Sequence, residues 1–203
     1  ESSELNRYGA RFKYSKFLKI IDDSHSAVTS NITTVQIRRD LRVSVNSFAE
    51  YSIGFGNSFH IASSTGYNIK SSSFKVVGYS QDLYIGDIPD SNQTTGSLFF
   101  FTVDNTSSSS STIVKRNIGV IDYANGILTL NPVNIISTSK VENGQPIIQI
   151  SAVPQSNDVI GLRDLYLQLD INNSEFEMVI DEASSSSNYI ISSSYNSGNL
   201  VRP

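Results

Sequence analysis

The chain contains no cysteine. That excludes a disulfide framework and any thiolate metal site. Tryptophan is also absent, which removes the best flat, polar-edged surface for stacking a sugar. Only two histidines, His25 and His60, are present, and they do not form a spaced metal pair with cysteine or with each other. Charged residues make up 17% of the chain and the net charge is −4, the wrong balance for a general nucleic-acid binder, which normally carries a basic surface. No apolar run approaches the roughly 20 residues of a membrane span, and the start lacks a signal-peptide core. The chain begins at Glu1 rather than methionine, so a processed product or a piece of a longer subunit is expected.

What fills the space is serine, threonine and asparagine on the polar side, with isoleucine, valine, leucine, phenylalanine and tyrosine on the apolar side. The latter suit pleated, half-buried surfaces. The 203 residues suffice for one large domain or two small ones, and a fold of this size buries roughly 70% of its unfolded surface. The four Asn-x-Ser/Thr matches, at Asn31, Asn92, Asn105 and Asn172, are expected by chance in so Ser/Thr-rich a chain.

Near the start, Phe12, Phe17, Leu18 and Ile21 fall on one face of a short helix, with Lys13, Lys16 and Lys19 towards the other. An amphipathic helix packed on a sheet is expected, closed by Asp22, Asp23 and Ser24 as a turn or as the cap of a second short helix. From Asn31 the period changes to two: Val35, Ile37, Leu41, Val43 and Val45 share one parity, while Gln36, Arg38, Asp40, Arg42 and Ser44 share the other. Arg39 breaks the apolar parity and points to a bulge, an edge, or a charge paired across an interface, with a bulge as the simplest explanation.

Short strands follow in "FKVVGY", "DLYIG", "GSLFFFTV", "STIVKRNIGVID" and "GILTLNPVNII", spaced as an antiparallel meander or sandwich. Phe99, Phe100 and Phe101 are apolar on both faces, so their strand is either central or covered by another chain. Between the last two strands, Asn125-Gly126 marks a hairpin, either a two-residue type I′ turn or a type I turn with a glycine bulge. Long strands are expected again in "PIIQISAVP", "LRDLYLQLDI" and "EFEMVI". The expected fold is therefore mainly β (α+β), with antiparallel sheets or a sandwich of long strands, an inserted small β lobe and a short N-terminal helix. The expected organisation is a discontinuous base of residues 1–65 plus 137–182, an inserted lobe of 66–136, and a Ser-rich extended tail of 183–203.

Catalytic constellations are scarce. Asp22, Asp23 and His25 form a "DDSH" cluster whose residue types suit a hard or borderline metal, but capping and turn roles account for them. No G-x-S-x-G elbow occurs. Ser72 to Lys75 and Ser137 to Lys140 match S-x-x-K in strand or loop contexts rather than on a helix. "GFGNSF" carries Phe59 where a dinucleotide fingerprint needs its third glycine. Asp87 and Asp90 bound a plausible surface turn, a weak calcium candidate without the ordered oxygen spacing of a dedicated loop. Glu175 and Glu177 describe a solvated strand face. The one basic cluster, "QIRRDLR", is interrupted by Asp40, which favours ion pairing between strands or subunits.

The order of the segments "FKYSKFLKIIDDSHSAVTSNITTVQIRRDL", "STGYNI", "NIGVIDYANGILTLNPVNI" and "IIQISAVPQSNDVIGLRDLYLQLDI" resembles the C-terminal part of a baseplate wedge subunit of contractile-tailed, myovirus-type bacteriophages, the ring-forming wedge protein. The most specific pieces are "DDSHSAVTSNITTVQIRR" and "QSNDVIGLRDLYLQ". This resemblance implies a non-enzymatic structural protein of the virion tail baseplate, assembled in the bacterial cytoplasm. It implies partners in other copies of itself, as a homodimer or in ring contacts, and in other baseplate wedge proteins; no cofactor, nucleic acid or membrane insertion is expected. The family supplies no catalytic residues. The interface candidates come from this sequence alone: Arg39, Phe99, Phe101, Tyr166, Tyr189 and Tyr195. Two other classes stand beside this reading, a carbohydrate-binding adhesin module of a phage tail or cell surface, using tyrosines such as Tyr67, Tyr79 and Tyr84, and a hydrolase that needs His25 or His60 beside a serine and a carboxylate.

Overall fold

The computed structural model describes residues 5–62, 67–103, 111–163 and 165–179. The chain divides into two units, Glu1–Leu167 and Gln168–Pro203. Apart from one helix, the regular elements described in the first unit are antiparallel strands. β1 (Arg11–Phe12) leads into helix α1 (Tyr14–Asp22), and β2 (Ile37–Arg42) and β3 (Phe48–Gly54) follow. β4 (Lys70–Ser71), β5 (Phe74–Val76), β6 (Tyr84–Pro89) and β7 (Thr95–Val103) precede the long hairpin of β8 (Ser111–Asp122) and β9 (Ile127–Thr138). β10 (Lys140–Glu142), β11 (Gln145–Ala152) and β12 (Val159–Ile160) complete the series.

The strands form two sheets and a small clasp. β2 pairs with β11, which also carries β10 and β4. The second sheet runs β3–β9–β8–β7–β6, with β5 alongside β9. Phe74 and Leu83 exchange two backbone hydrogen bonds of 3.1 and 2.9 Å. Hydrogen bonds thus run in a closed circuit from β9 through β8, β7, β6 and β5 back to β9. The clasp is β1 against β12, pairing Arg11 with Ile160 and Phe12 with Val159.

Two irregularities explain how the strands keep their apolar faces inward. Along β9 the buried positions change parity, from Leu128 and Leu130 to Val133 and Ile135. The change falls at Asn131-Pro132, opposite the register shift between Ala49 and Tyr51 in β3. A bulge tolerates a proline, which has no N–H to give the ladder, and it resets which residues face the core. In β8, Asn117 takes a φ of 56° where Leu98 pairs with Gly119 but Phe100 pairs with Lys115. The core between the sheets includes Leu83, Ile85, Leu98, Ile121, Ile135 and Ile148, all inaccessible to solvent.

Three local expectations are corrected. β2 pairs with β11 in unbroken register over six residues, Ile37 with Ala152 through Arg42 with Ile147, so Arg39 does not mark a bulge. It shares a face with Leu41 and, half-buried, sends its guanidinium to the carbonyl of Gly54 in β3, bridging the two sheets. The second correction concerns "LRDLYLQLDI" and "EFEMVI": among the described residues neither forms a strand. Leu165 N turns back onto the Leu162 carbonyl at 3.2 Å. In the described part of the second unit a 3₁₀ turn, Ile171–Asn173, follows Asp170, whose carboxylate accepts Asn173 Nδ2 at 2.7 Å. Alternation defines two faces but not a partner strand, and without a partner the ladder does not form. Third, α1 is seated more shallowly than expected: none of its residues is fully buried, although Phe17, Leu18 and Ile21 are half-buried.

The hairpin between β8 and β9 has a four-residue loop, since Asp122 pairs with Ile127. Gly126 takes a φ of 63° while Asn125 stays out of the left-handed region, which excludes type I′ and fits a type I turn followed by a left-handed glycine. The Asp122 carboxylate accepts Asn125 N at 2.9 Å and Nδ2 at 2.7 Å, fixing the turn. These bonds from Asn125 hold the Asp122 carboxyl below its usual range. A two-residue type I′ hairpin does occur elsewhere, at Asn143 and Gly144, with φ values of 49° and 77° between β10 and β11.

Candidate functional site

Two places in the first unit carry unusual chemistry, one exposed and one buried. The exposed one is α1 and the segment before it. A nine-residue helix is marginal by itself, and most helical stability in proteins comes from packing an amphipathic face. α1 is instead held at its ends. Lys13 offers no side-chain cap; the Asp158 carboxylate takes that role from across the fold, accepting Tyr14 N at 2.8 Å. Tyr14 Oη donates to the Thr33 carbonyl at 2.8 Å, tying down the returning chain. At the other end Ser24 Oγ donates to the Ile21 carbonyl at 2.6 Å, Asn31 Nδ2 to Asp22 Oδ1 at 2.5 Å, and Ala27 N to His25 Nδ1 at 3.0 Å. The "DDSH" cluster therefore builds the turn that closes the helix.

The side chains of this segment divide by type. Phe12, Phe17, Leu18 and Ile21 are half-buried, and the rings of Phe12 and Phe17 lie 5.4 Å apart. Ile20 is exposed, as are Arg7, Arg11, Lys13, Lys16 and Lys19. Nearby in the same unit, Tyr8 and Tyr166 meet edge to face at 6.5 Å, and both remain largely exposed.

The buried place is a polar hub. Asp87 lies on β6 and is inaccessible to solvent. Its Oδ1 accepts the backbone N–H groups of Asn68 and Ile69 at 2.8 and 2.6 Å, and its Oδ2 accepts the Tyr123 hydroxyl at 2.7 Å. Asn68, 5% exposed, uses its amide to bond Val153 in both directions, donating at 3.0 Å and accepting at 2.8 Å, and it also donates to the His60 carbonyl at 2.5 Å. Desolvation raises the Asp87 pKa above the usual carboxylate range, although the donors from Ile69, Tyr123 and Asn68 oppose it. Burial, and then the neighbouring Asp87 charge, push the Tyr123 phenol upward as well. Three donors on one carboxylate leave it little capacity to bind anything else. The hub joins β6, the β8–β9 hairpin and the exit from β11.

Asp87 thus corrects the calcium-turn expectation: its carboxylate faces the interior, while Asp90 accepts the Thr95 hydroxyl at 2.8 Å. Among the described residues no group of three or more His, Cys, Asp or Glu is placed to hold a metal ion. The two S-x-x-K segments flank an open cleft of about 250 Å³ lined by Ser73, Lys75, Asp82, Ser137 and Ser139. Ser139 donates to the Ser73 carbonyl at 2.9 Å, and Ser72 Oγ accepts Gln149 N at 3.0 Å, so these hydroxyls join strands together.

The interface candidates scatter across the fold. Arg39 is half-buried between the sheets, as described above. β7 is a central strand: Leu98 and Phe100 enter the core, while Phe99, 1% exposed, and Phe101 lie on the other face. There Phe101 stacks with Tyr67 at 5.7 Å and with Tyr84 at 5.5 Å, and Tyr67 also covers Phe99. Tyr166 is exposed beside Tyr8. Tyr189 and Tyr195 lie outside the described residues. The hub was missed because its partners come from separate segments; the available signal was an aspartate within the apolar run "LYIGDI".

Residues 1–40 match the family model of baseplate structural protein gp6, C-terminal domain III. No curated relative matches the chain. The family match suggests a structural role in a phage tail baseplate, among other baseplate components.

Proposed function

We propose that the chain is a non-catalytic component of the baseplate wedge in a contractile phage tail, and that it self-associates and joins neighbouring wedges in the virion. The observation that carries this reading is the baseplate match over residues 1–40, which falls on the exposed α1 and its flanks. Contact would be made by shape and by exposed side chains, Tyr166 and Tyr8 among them, with contacts rearranging when the tail contracts. A stable interface of this kind buries about 1,200–2,000 Å² in total.

The carbohydrate-binding alternative is less well supported. Tyr67 and Tyr84 each stack on Phe101, with interplanar angles of 28° at both contacts, so one face of each tyrosine ring is already taken. Co-expression with the remaining baseplate proteins, followed by electron microscopy of the particles, tests the proposal. Wedge- or ring-shaped particles containing this chain are expected; particles that form normally without it refute the reading. Binding on a glycan array would favour the alternative.

A further inference from the structure

We propose that Asn143 is a self-modification site: the Gly144 nitrogen displaces its side-chain amide, converting the residue to aspartate or isoaspartate, while the same dipeptide at Asn125 is protected. The inference stands apart from the baseplate reading. The chain holds two Asn-Gly pairs, and each lies in a hairpin turn. In both, glycine leaves the attacking nitrogen without a crowding Cβ. The two pairs differ in what surrounds them.

At the first pair the Asp122 carboxylate holds Asn125 N at 2.9 Å and Nδ2 at 2.7 Å. Gly126 is buried, its carbonyl accepts Phe55 N at 2.8 Å, and a Cβ there would strike the Asn57 carbonyl. The amide must leave Asp122, and the peptide plane must turn within packed surroundings, before any reaction. At the second pair Asn143 and Gly144 are both exposed, and a Cβ on Gly144 would meet nothing within 4 Å. Among the described residues neither the Asn143 side chain nor the Gly144 nitrogen has a hydrogen-bond partner. Asn143 already has a φ of 49°. Types I′ and II′ share that positive φ at the first central residue, so a flip of the Asn143–Gly144 peptide plane exchanges one hairpin turn for the other. That flip brings the nitrogen round to the side chain.

The Gly144 nitrogen loses its proton to base and bonds to Asn143 Cγ. A succinimide ring closes, and the amide nitrogen leaves as ammonia. Water then opens the ring at one of its two carbonyls. Cleavage at Cγ leaves aspartate; cleavage at the main-chain carbonyl leaves isoaspartate, with the chain running through Cβ and Cγ. One water is consumed, one ammonia is released, and nothing is oxidised or reduced. Either product sets a new carboxylate beside Glu142, and isoaspartate also lengthens the two-residue turn. β10 has only three residues, all exposed, and among the described residues its one partner is β11. It is therefore the element that yields, uncovering the edge of β11 from Gln145 to Ile147.

The test is peptide mapping by mass spectrometry of the purified full chain, incubated in heavy-oxygen water at neutral and mildly alkaline pH. Synthetic peptides of residues 138–148 and 120–131 supply the unfolded rates. Isoaspartate is counted by enzymatic methyl transfer from S-adenosylmethionine. Asn143 is expected to convert within about tenfold of its peptide's rate, to incorporate heavy oxygen, to give both products, and to react faster as pH rises. Asn125 should lag both its own peptide and Asn143 by at least about tenfold, since two hydrogen bonds must break before it reacts. Gly144→Ala should slow Asn143 several-fold with circular dichroism unchanged. Converted chains should exchange amide hydrogens faster over residues 140–147 and unchanged in β8. An Asn143 that keeps its amide after its peptide has converted overturns the proposal. Equal rates at Asn143 and Asn125 overturn it too, because the surroundings then decide nothing. Aspartate formed without isoaspartate overturns the ring route.

Discussion

Replacing Asp87 by alanine should be among the most damaging single changes in this chain. The carboxylate accepts Asn68 N, Ile69 N and the Tyr123 hydroxyl at 2.6–2.8 Å in a site closed to solvent. Alanine removes all of these acceptors at once. A buried donor left without a partner costs about 1–3 kcal/mol. Three such donors, less the relief from no longer burying a charge, give a loss of about 3–6 kcal/mol. That is a large share of the roughly 5–15 kcal/mol by which domains are stable. Urea unfolding followed by tyrosine fluorescence and circular dichroism measures it, and a midpoint lower by about 2 M is expected for a slope of about 2 kcal/mol per M. Tyr123→Phe removes one donor together with its own hydroxyl, so it should cost only about 1 kcal/mol. If Asp87→Ala loses less than about 1 kcal/mol, or no more than Tyr123→Phe, the hub is not the junction inferred for it.

The remaining predictions concern pH, turns and the helix cap. Because the Asp87 pKa is raised above its ordinary 3.8 by burial, at pH values between the two, and only there, the native state retains a proton that the unfolded state has released. Stability from this group is therefore present below 3.8 and is lost as pH rises through the raised value. Urea midpoints measured upward from pH 4 should show this downward contribution in wild type and lack it in Asp87→Asn; identical profiles would refute the assignment. Asp122 acts in the opposite sense, its small contribution disappearing as pH falls below 3.8. Gly126→Ala should destabilise far more than Gly144→Ala. Both positions have positive φ, costing about 1 kcal/mol for a side chain, but only at Gly126 would a Cβ collide with the Asn57 carbonyl, while Gly144 opens onto empty space. Thermal melts of the two variants decide it. Asp158→Ala should cost about 1 kcal/mol by uncapping α1 and speed hydrogen exchange at the start of that helix, leaving the sheets unchanged.

Local pattern was sufficient where the physics is local. The alternation in "NIGVIDYANGILTL" and its Asn-Gly pair announced a hairpin, and the spacing of Phe17, Leu18 and Ile21 announced a helix. The mainly β, antiparallel class followed from the same signals. What failed depended on partners distant in sequence. Arg39 looked like a defect in β2 because its acceptor, the Gly54 carbonyl, lies on another sheet. Asp87 looked like a surface residue because its donors come from residues 68, 69 and 123. "LRDLYLQLDI" has the alternation of a strand, but sequence does not say whether an edge is available to receive it. The helix was foreseen and the depth of its seat was not: amphipathicity states which face turns inward without stating how deeply it is covered.

The closed circuit of strands also has a mechanical meaning. Within the ring no strand is an end strand, so separating its members means shearing a ladder or parting the ring at its narrowest join. That join is Phe74 and Leu83, only two hydrogen bonds wide, and both side chains are shut away from water, Leu83 at 0% and Phe74 at 2% exposure. Water cannot easily compete for those two bonds while the apolar cover holds. The weakest seam of the ring is thus also its driest, and its resistance to load is set by the packing above it rather than by its bond count.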